Sequence, residues 1–375
     1  MKVLVLGLDN SILKADSPLA RRAIAYGEMV DLYYTIVSST GCPGMTYNNK
    51  VKVYGVVGGN KFSILLKIFR LGKKVIRKYG FDVISVQDQY YLALVGWWLA
   101  RQFKIGFEIQ FHGLEKFAGL RRLIAKFVIP KADAVRTVSQ RMKKELISVF
   151  NVREERITVV PIYTEIQNSK FKIQNYNSKV KNSNFIFLAI GRLVAVKNIG
   201  LQVEAVAEVV KKYPQAELWI IGEGPEREKL EVRSEKLEVS KNIKFLGWQD
   251  ELQKYYAQAD AFLLTSEAEG WGLAVIEASA AGLPIIMTDV GCAGEVIVNE
   301  QSGLVIPVGD KDTLVKQMRR LIEDAKLRQK LSIGAKQAIM KLPSKEETMA
   351  LYLASWQKAV TKNNLALSSK GHNVL

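Results

Sequence analysis

Two carboxylates and two glycines mark the stretch of this 375-residue chain where chemistry is most legible: Glu269-Gly270-Trp271-Gly272-Leu273-Ala274-Val275-Ile276-Glu277. On one continuous helix, glutamates at this spacing would stand ~80° apart in azimuth and about two turns apart in height. Gly270 and Gly272 favour another layout, a loop tight against a ligand that runs into a helix, with Glu269 in the loop and Glu277 in the helix. The amides near Gly272 to Ala274 then form a helix N-terminus, which attracts anions. Two carboxylates flanking an anion site suit a ligand carrying hydroxyls and phosphate together. A second cluster, Gly191-Arg192-Leu193-Val194-Ala195-Val196-Lys197-Asn198, follows the apolar run Phe185-Ile186-Phe187-Leu188-Ala189-Ile190. At the carboxyl end of a strand, Arg192 as a planar fork and Lys197 as a point charge can reach one phosphate from two sides. Taken alone, that loop also reads as solvated charges at a strand end.

Such loops need strands and helices that alternate. In the first half, Val3 to Leu6, Val51 to Val57 and Val83 to Val86 are short β-branched runs, while residues 61–79 and 117–129 have the pattern of basic amphipathic helices. After Phe185 to Ile190, the residues Ile199, Val203, Val206 and Val210 fall on one helical face, and Pro214 ends it. Further strands are expected at Leu218 to Ile221, Ile243 to Leu246, Ala261 to Leu264, Pro284 to Thr288 and Leu304 to Ile306. The pattern predicts an α/β protein of two Rossmann-like, doubly wound βαβ domains facing across a cleft at the carboxyl ends of their strands. The expected domains are residues 1–164 and 185–344, joined by a polar hinge or surface insertion at 165–184. A last helix at about 345–362 is expected to pack back on the first domain, followed by a tail at 363–375.

Taken together, these residues resemble a known family. Gly191-Arg192 with Lys197-Asn198, Gly222-Glu223-Gly224-Pro225, Phe245-Leu246-Gly247, Ser266-Glu267, the Glu269/Glu277 pair, Thr288-Asp289-Val290-Gly291, Glu295 and Pro307-Val308-Gly309-Asp310 resemble the donor half of retaining glycosyltransferase family 4, which has the GT-B fold. In the first half, Phe111-His112-Gly113, Ala132-Asp133-Ala134 and Val138-Ser139 match more loosely. The resemblance implies a retaining, metal-independent transfer of a sugar from a nucleotide diphosphate sugar to a hydroxyl, with no cofactor beyond that donor. It implies that Arg192 and Lys197 hold the diphosphate, and that Glu277 takes the ribose hydroxyls. Glu269 with the amides after Gly270 takes the donor sugar, and His112 approaches from the other domain. Trp271, Gly272, Leu273 and Gly247 complete the implied donor set. The chain departs from the family's pattern in two places: Ile162-Tyr163 stands where Asn-Gly usually follows Val159-Val160-Pro161, and the glycine-rich loop after the first strand is replaced by Gly7-Leu8-Asp9-Asn10.

Charge bears on the acceptor. The net charge is +17, and residues 1–160 hold 26 Lys and Arg against 12 Asp and Glu, so the first half carries nearly all the excess. Lys67, Arg70, Lys73, Lys74, Arg77 and Lys78, then Arg121, Arg122 and Lys126, then Arg141, Lys143 and Lys144 form clusters. Those of the first are interleaved with Phe62, Ile64, Leu65, Ile68 and Phe69, as on helices that lie against anionic lipid. The expected acceptor is a glycan or lipid-linked saccharide, in surface polysaccharide or glycolipid synthesis. The enzyme is expected to be cytoplasmic and peripheral at the inner face of the cell membrane. No nucleic-acid module is evident, which places a basic nucleic-acid-binding protein behind two other readings, a sugar-nucleotide epimerase and a phosphorylase. Gly222-Glu223-Gly224-Pro225 lacks the third glycine of a dinucleotide fingerprint, so a nicotinamide dehydrogenase is not expected. Asp310-Lys311-Asp312 reads as a helix cap rather than a metal motif, and Trp97-Trp98 as core packing. Cys42 and Cys292 have no ligand spacing. The start reads as a strand rather than a signal peptide, and no apolar run approaches the ~20 residues of a membrane span.

Overall fold

A computed structural model describes residues 1–39, 41, 44–113, 119–164 and 184–368. The chain divides into two compact units, Met1–Pro161 with Ser344–Leu375, and Ile162–Pro343. Cys42, His372, the tail beyond residue 368 and all of the expected hinge except Asn184 lie outside the described residues.

The first unit is built on strands β1 (Lys2–Gly7), β2 (Leu32–Ser38), β3 (Met45–Thr46), β4 (Val51–Val56), β5 (Val83–Val86), β6 (Gly106–Phe111), β7 (Ala134–Thr137) and β8 (Ile157–Val159). Their order is β3-β4-β2-β1-β5-β6-β7-β8, parallel except where β3 meets β4. The connecting helices are α1 (Pro18–Glu28), α2 (Lys61–Tyr79), α3 (Tyr91–Phe103), α4 (Gly119–Val128) and α5 (Gln140–Phe150). Both faces of the sheet are covered, so its strands are apolar on both sides rather than alternating. Val3, Val5, Tyr33 and Val83 join one core cluster with Ala23 and Tyr26 of α1. On the other face, α3 lies so close to the sheet that a Cβ on Gly96 would stand 2.5 Å from Val86 and 3.2 Å from Phe107. Helix α2 begins where the Asn60 side chain accepts from the Ser63 amide and ends at Gly80, which has φ 62°. Trp98 of α3 departs from the expected core position: it is 60% exposed, because the inner face of this helix is taken by Leu92, Ala93, Leu99 and Ala100.

The second unit contains β9 (Phe185–Ile190), β10 (Ala216–Ile221), β11 (Ile243–Phe245), β12 (Ala261–Leu264), β13 (Ile285–Thr288) and β14 (Leu304–Ile306), in the order β11-β10-β9-β12-β13-β14 and all parallel. Helices α6 (Ile199–Val210), α7 (Arg227–Lys236), α8 (Gln253–Gln258), α9 (Leu273–Ala280), α10 (Lys311–Glu323) and α11 (Ala325–Ile339) connect them. Asp310 caps α10, its carboxylate accepting from the Thr313 amide at 2.9 Å.

A last helix, α12 (Lys345–Ser368), belongs to the first unit. Trp356 is fully buried among Tyr26, Tyr33 and Tyr352. A polar plug fixes it there. Glu108 of β6, fully buried, accepts from the Ser85 and Ser355 hydroxyls and from Trp356 Nε1 at 3.2 Å, and pairs with Arg136 of β7 at 3.5 Å. The Arg136 guanidinium also lies 3.9 Å from the centre of the Tyr352 ring.

Candidate functional site

Parallel doubly wound sheets present their ligand loops at the carboxyl ends of the strands. In the second unit these loops are laced together by backbone hydrogen bonds. After β9, the Gly191 amide donates to Ile221 O and the Leu193 amide to Glu223 O, both at 2.9 Å, while the Glu226 amide returns to Leu193 O at 3.0 Å. The Gly222 amide donates to Gly247 O at 2.8 Å, tying in the loop after β11. Gly222 has φ 134°, and a Cβ there would stand 1.9 Å from Gly191 O, so only glycine allows these two loops to cross. The loop after β12 joins through the Glu267 amide, which donates to Val196 O at 2.8 Å, and the loop after β13 through the Cys292 amide, which donates to Trp271 O at 2.9 Å.

Within this frame Lys197 and Glu269 meet. Lys197 Nζ donates to Glu269 Oε1, which also accepts from the Ser266 hydroxyl at 2.8 Å. Both side chains are largely withdrawn from solvent, Lys197 at 23% and Glu269 at 12% exposure. The backbone at Lys197 and Asn198 is fixed as well, because the Thr265 hydroxyl donates to Asn198 O at 2.9 Å, lies 3.3 Å from Lys197 O, and accepts from Gln202 Nε2 at 2.9 Å. Arg192, on the same loop, is exposed and has no ion-pair partner among the described residues.

Glu269 and Gly270 lie in the loop, and Gly272 caps α9 with φ 92° and no side-chain hydrogen bond. The Val275 and Ile276 amides both turn back to Gly272 O. The first-turn amides of Leu273 and Ala274 precede any intrahelical acceptor and form a positive end. Glu277 follows on α9, half-buried, and accepts from the hydroxyl of the buried Tyr256 of α8 at 3.0 Å. Burial raises the Glu277 pKa, and the Tyr256 hydrogen bond partly opposes that shift. The Tyr256 phenol is itself pushed well above its ordinary value by burial and by the carboxylate. Tyr256 carries no sequence motif, and Ser266, which stands in the Ser266-Glu267 motif without an expected role, is the second side chain on Glu269.

Trp271 turns its ring into the protein, at 2% exposure, and contributes its backbone oxygen to the loop. Leu273 stays exposed at the start of α9. Gly247, with φ 67°, sits beside Glu223 and Arg227, which pair at 2.7 Å. The structure therefore joins Arg192, Lys197, Glu269 to Leu273 and Glu277 around one loop-helix junction, with Gly247 tied in through Gly222.

His112 belongs to the first unit, where it follows β6 and is exposed. Desolvation by the surrounding protein, then the Arg136 and Arg22 guanidiniums, lower its pKa to about 4, so the ring is neutral at pH 7.

Known proteins bear on this arrangement. The family model described as Glycosyl transferases group 1 matches residues 171–338, and the one described as Glycosyltransferase Family 4 matches residues 20–162. The lipopolysaccharide core biosynthesis glycosyltransferase LpsD of Rhizobium meliloti (strain 1021) is 32% identical over 178 residues, 48% of this chain and 51% of that protein. The chain thus spans about half the length of that curated relative. Among solved structures, sucrose-phosphate synthase from Thermosynechococcus elongatus superposes with a TM-score of 0.79 at 20% identity, covering 96% of this chain and 99% of that one. Anabaena HepE in complex with UDP gives 0.70 at 18% identity, covering 100% of each chain.

Proposed function

The chain belongs to the family 4 glycosyltransferases with the GT-B fold, and we propose that it transfers a sugar from a nucleotide diphosphate sugar to a hydroxyl of a glycan or lipid-linked saccharide, with retention and without a metal ion. The observation that carries this reading is the Lys197–Glu269 pair, held by Ser266 at the loop that leads into α9. It sets a cation and a hydroxyl-binding carboxylate side by side at a helix end suited to anions.

The diphosphate lies against the amides of Leu273 and Ala274, with Lys197 and Arg192 neutralising it. Glu277, oriented by Tyr256, accepts from the ribose hydroxyls, and Glu269 from those of the sugar. His112, neutral at pH 7, can hydrogen-bond the sugar or its phosphate without adding charge. In the reaction the bond between the anomeric carbon and the phosphate oxygen breaks, and the acceptor oxygen bonds that carbon on the same face. The acceptor's proton passes to the departing phosphate oxygen. The chain's part is positioning and stabilisation of the charge that grows on the leaving diphosphate. Because Arg192 and Lys197 supply that neutralisation, activity is expected to survive a chelator.

The UDP bound by HepE supports uridine diphosphate sugars as the first donors to test. The role of LpsD in lipopolysaccharide core synthesis supports a saccharide acceptor carried on lipid. We place the enzyme at the inner face of the cell membrane. A thermal-shift panel of UDP-, GDP- and ADP-sugars tests the donor site, because a ligand at 100 times its dissociation constant adds ~2.7 kcal/mol of stability. One nucleotide class is expected to raise the melting temperature, and Glu269→Ala to abolish transfer from it. No shift with any nucleotide sugar, or full transfer by the variant, would sink the assignment.

A further inference from the structure

Three consecutive helices of the first unit carry a continuous apolar surface with cations around it. On α2, Phe62, Leu66 and Phe69 follow one another at helical spacing, and Phe62 is 76% exposed. Phe69 stacks on Trp98 of α3 with ring centres 5.2 Å apart. The neighbouring Trp97 meets Phe127 of α4 edge-on at 5.1 Å. From Phe127 the row continues up α4 through Leu123, 67% exposed, to Leu120. Scattered exposed apolar residues are ordinary; a connected row across three packed helices marks an interaction surface.

The charge on these helices says what meets it. Helices α2, α3 and α4 hold eleven Lys and Arg and no Asp or Glu. Some of the cations sit at the rings themselves: Lys73 Nζ lies 5.5 Å from the Phe69 ring centre, and Lys131, just beyond α4, lies 4.3 Å from that of Phe127. A second copy of this chain would set eleven cations against eleven, so self-association is disfavoured. Lysine and arginine can bury their stems along an apolar surface while their heads stay in water. Aromatic rings with leucines, framed by such cations, match the boundary between lipid headgroups and acyl chains. Arg141, Lys143 and Lys144 are on α5, and Lys143 pairs with Glu154 at 2.8 Å, so that cluster is partly compensated and lies outside this surface.

We propose that α2, α3 and α4 form a membrane-docking face that inserts Phe62, Trp98, Leu120 and Leu123 into an anionic bilayer. The proposal names the partner of the acceptor-side unit and extends the functional reading, but it rests on the geometry of that unit alone. No helix among the described residues is long and apolar enough to cross a membrane, so attachment through this face is interfacial.

The test is flotation of the full-length chain with vesicles of phosphatidylcholine alone and of equimolar phosphatidylcholine and phosphatidylglycerol, with no donor or acceptor present. Binding is expected to the anionic vesicles and to weaken in high salt. The triple variant W98S/L120S/L123S removes only exposed side chains; it is expected to lose vesicle binding while keeping its thermal response to the nucleotide that binds the second unit. The variant R70Q/K73Q/K74Q is expected to bind ~100-fold more weakly, at ~5-fold for each cation near the surface. Equal binding to both vesicles, full binding by the serine variant, or self-association through this face without vesicle binding would each overturn the proposal. Because none of these readouts uses sugar transfer, failure of the docking face and failure of the donor-site assignment remain distinct.

Discussion

The buried pair of Glu108 and Arg136 offers a sharp energetic test of how the last helix completes the first unit. Replacing Glu108 with Gln keeps the shape and, with the amide oxygen in place of Oε2, an acceptor for Ser85 and Trp356, while the Ser355 hydroxyl turns to accept from the amide NH2; but it strips the countercharge from a guanidinium only 3% exposed. Arg136 Nε and Nη1 have no acceptor among the described residues, so nothing else takes over. Breaking one side of a buried pair costs ~3–5 kcal/mol. The 3.5 Å separation is long for a charge-assisted contact and puts the expected loss near ~3 kcal/mol. Arg136→Met has the mirror effect, leaving a buried carboxylate with three neutral donors and removing the cation from the Tyr352 ring. The double variant E108Q/R136M buries no charge and retains the amide as hydrogen-bond partner. It is expected to be more stable than either single variant, with a coupling of at least ~2 kcal/mol. Urea unfolding of the full chain reads this out, provided the two units are followed as separate transitions; added nucleotide identifies the second unit by shifting its transition alone. Additive losses, or single-variant losses below ~1 kcal/mol, would refute the reasoning.

Two further outcomes concern the donor site. Lys197→Met removes a charge-assisted contact worth ~1.5–3 kcal/mol, so nucleotide diphosphate affinity measured by titration calorimetry should fall roughly 10- to 100-fold. A change below about threefold would remove Lys197 from the phosphate site. Burial raises the pKa of Glu277 above its unfolded value, so the folded chain holds more protons there and this group's contribution to stability falls as pH rises through that window. Glu277→Gln should therefore raise the melting temperature of the ligand-free chain at pH 8 more than at pH 4, while weakening nucleotide binding. An equal shift at both pH values would mean that Glu277 titrates as an ordinary exposed carboxylate.

Fold and site were legible in the sequence to different depths, and the reasons are physical. The second unit's strands could be read because a parallel sheet buried on both faces makes short continuous apolar runs such as Phe185 to Ile190, bounded by turn residues. Strand β2 carries the same kind of signal in Leu32-Tyr33-Tyr34-Thr35-Ile36-Val37-Ser38, its tyrosines favouring a strand as its β-branched residues do, yet it is not among the expected strands, which follow runs of aliphatic residues. The Glu269–Gly272 loop and the helix after it were legible because glycine at a positive φ leaves a direct mark on residue identity. Tyr256 left no such mark. Its role depends on α8 bringing a buried hydroxyl to a carboxylate 21 positions along the chain, and in one dimension the second of the adjacent tyrosines Tyr255 and Tyr256 looks like any core aromatic. Trp98 failed in the opposite sense, since hydrophobicity alone reports what could be buried but not which side of α3 the sheet occupies. That misreading is informative: a helix that leaves a tryptophan outside, stacked on the half-buried Phe69 whose ring Lys73 also approaches, carries apolar surface that the core does not use. The net positive charge and the exposed ring are thus two readings of one surface, separable from the balanced charges around Lys197 and Glu269 in the second unit.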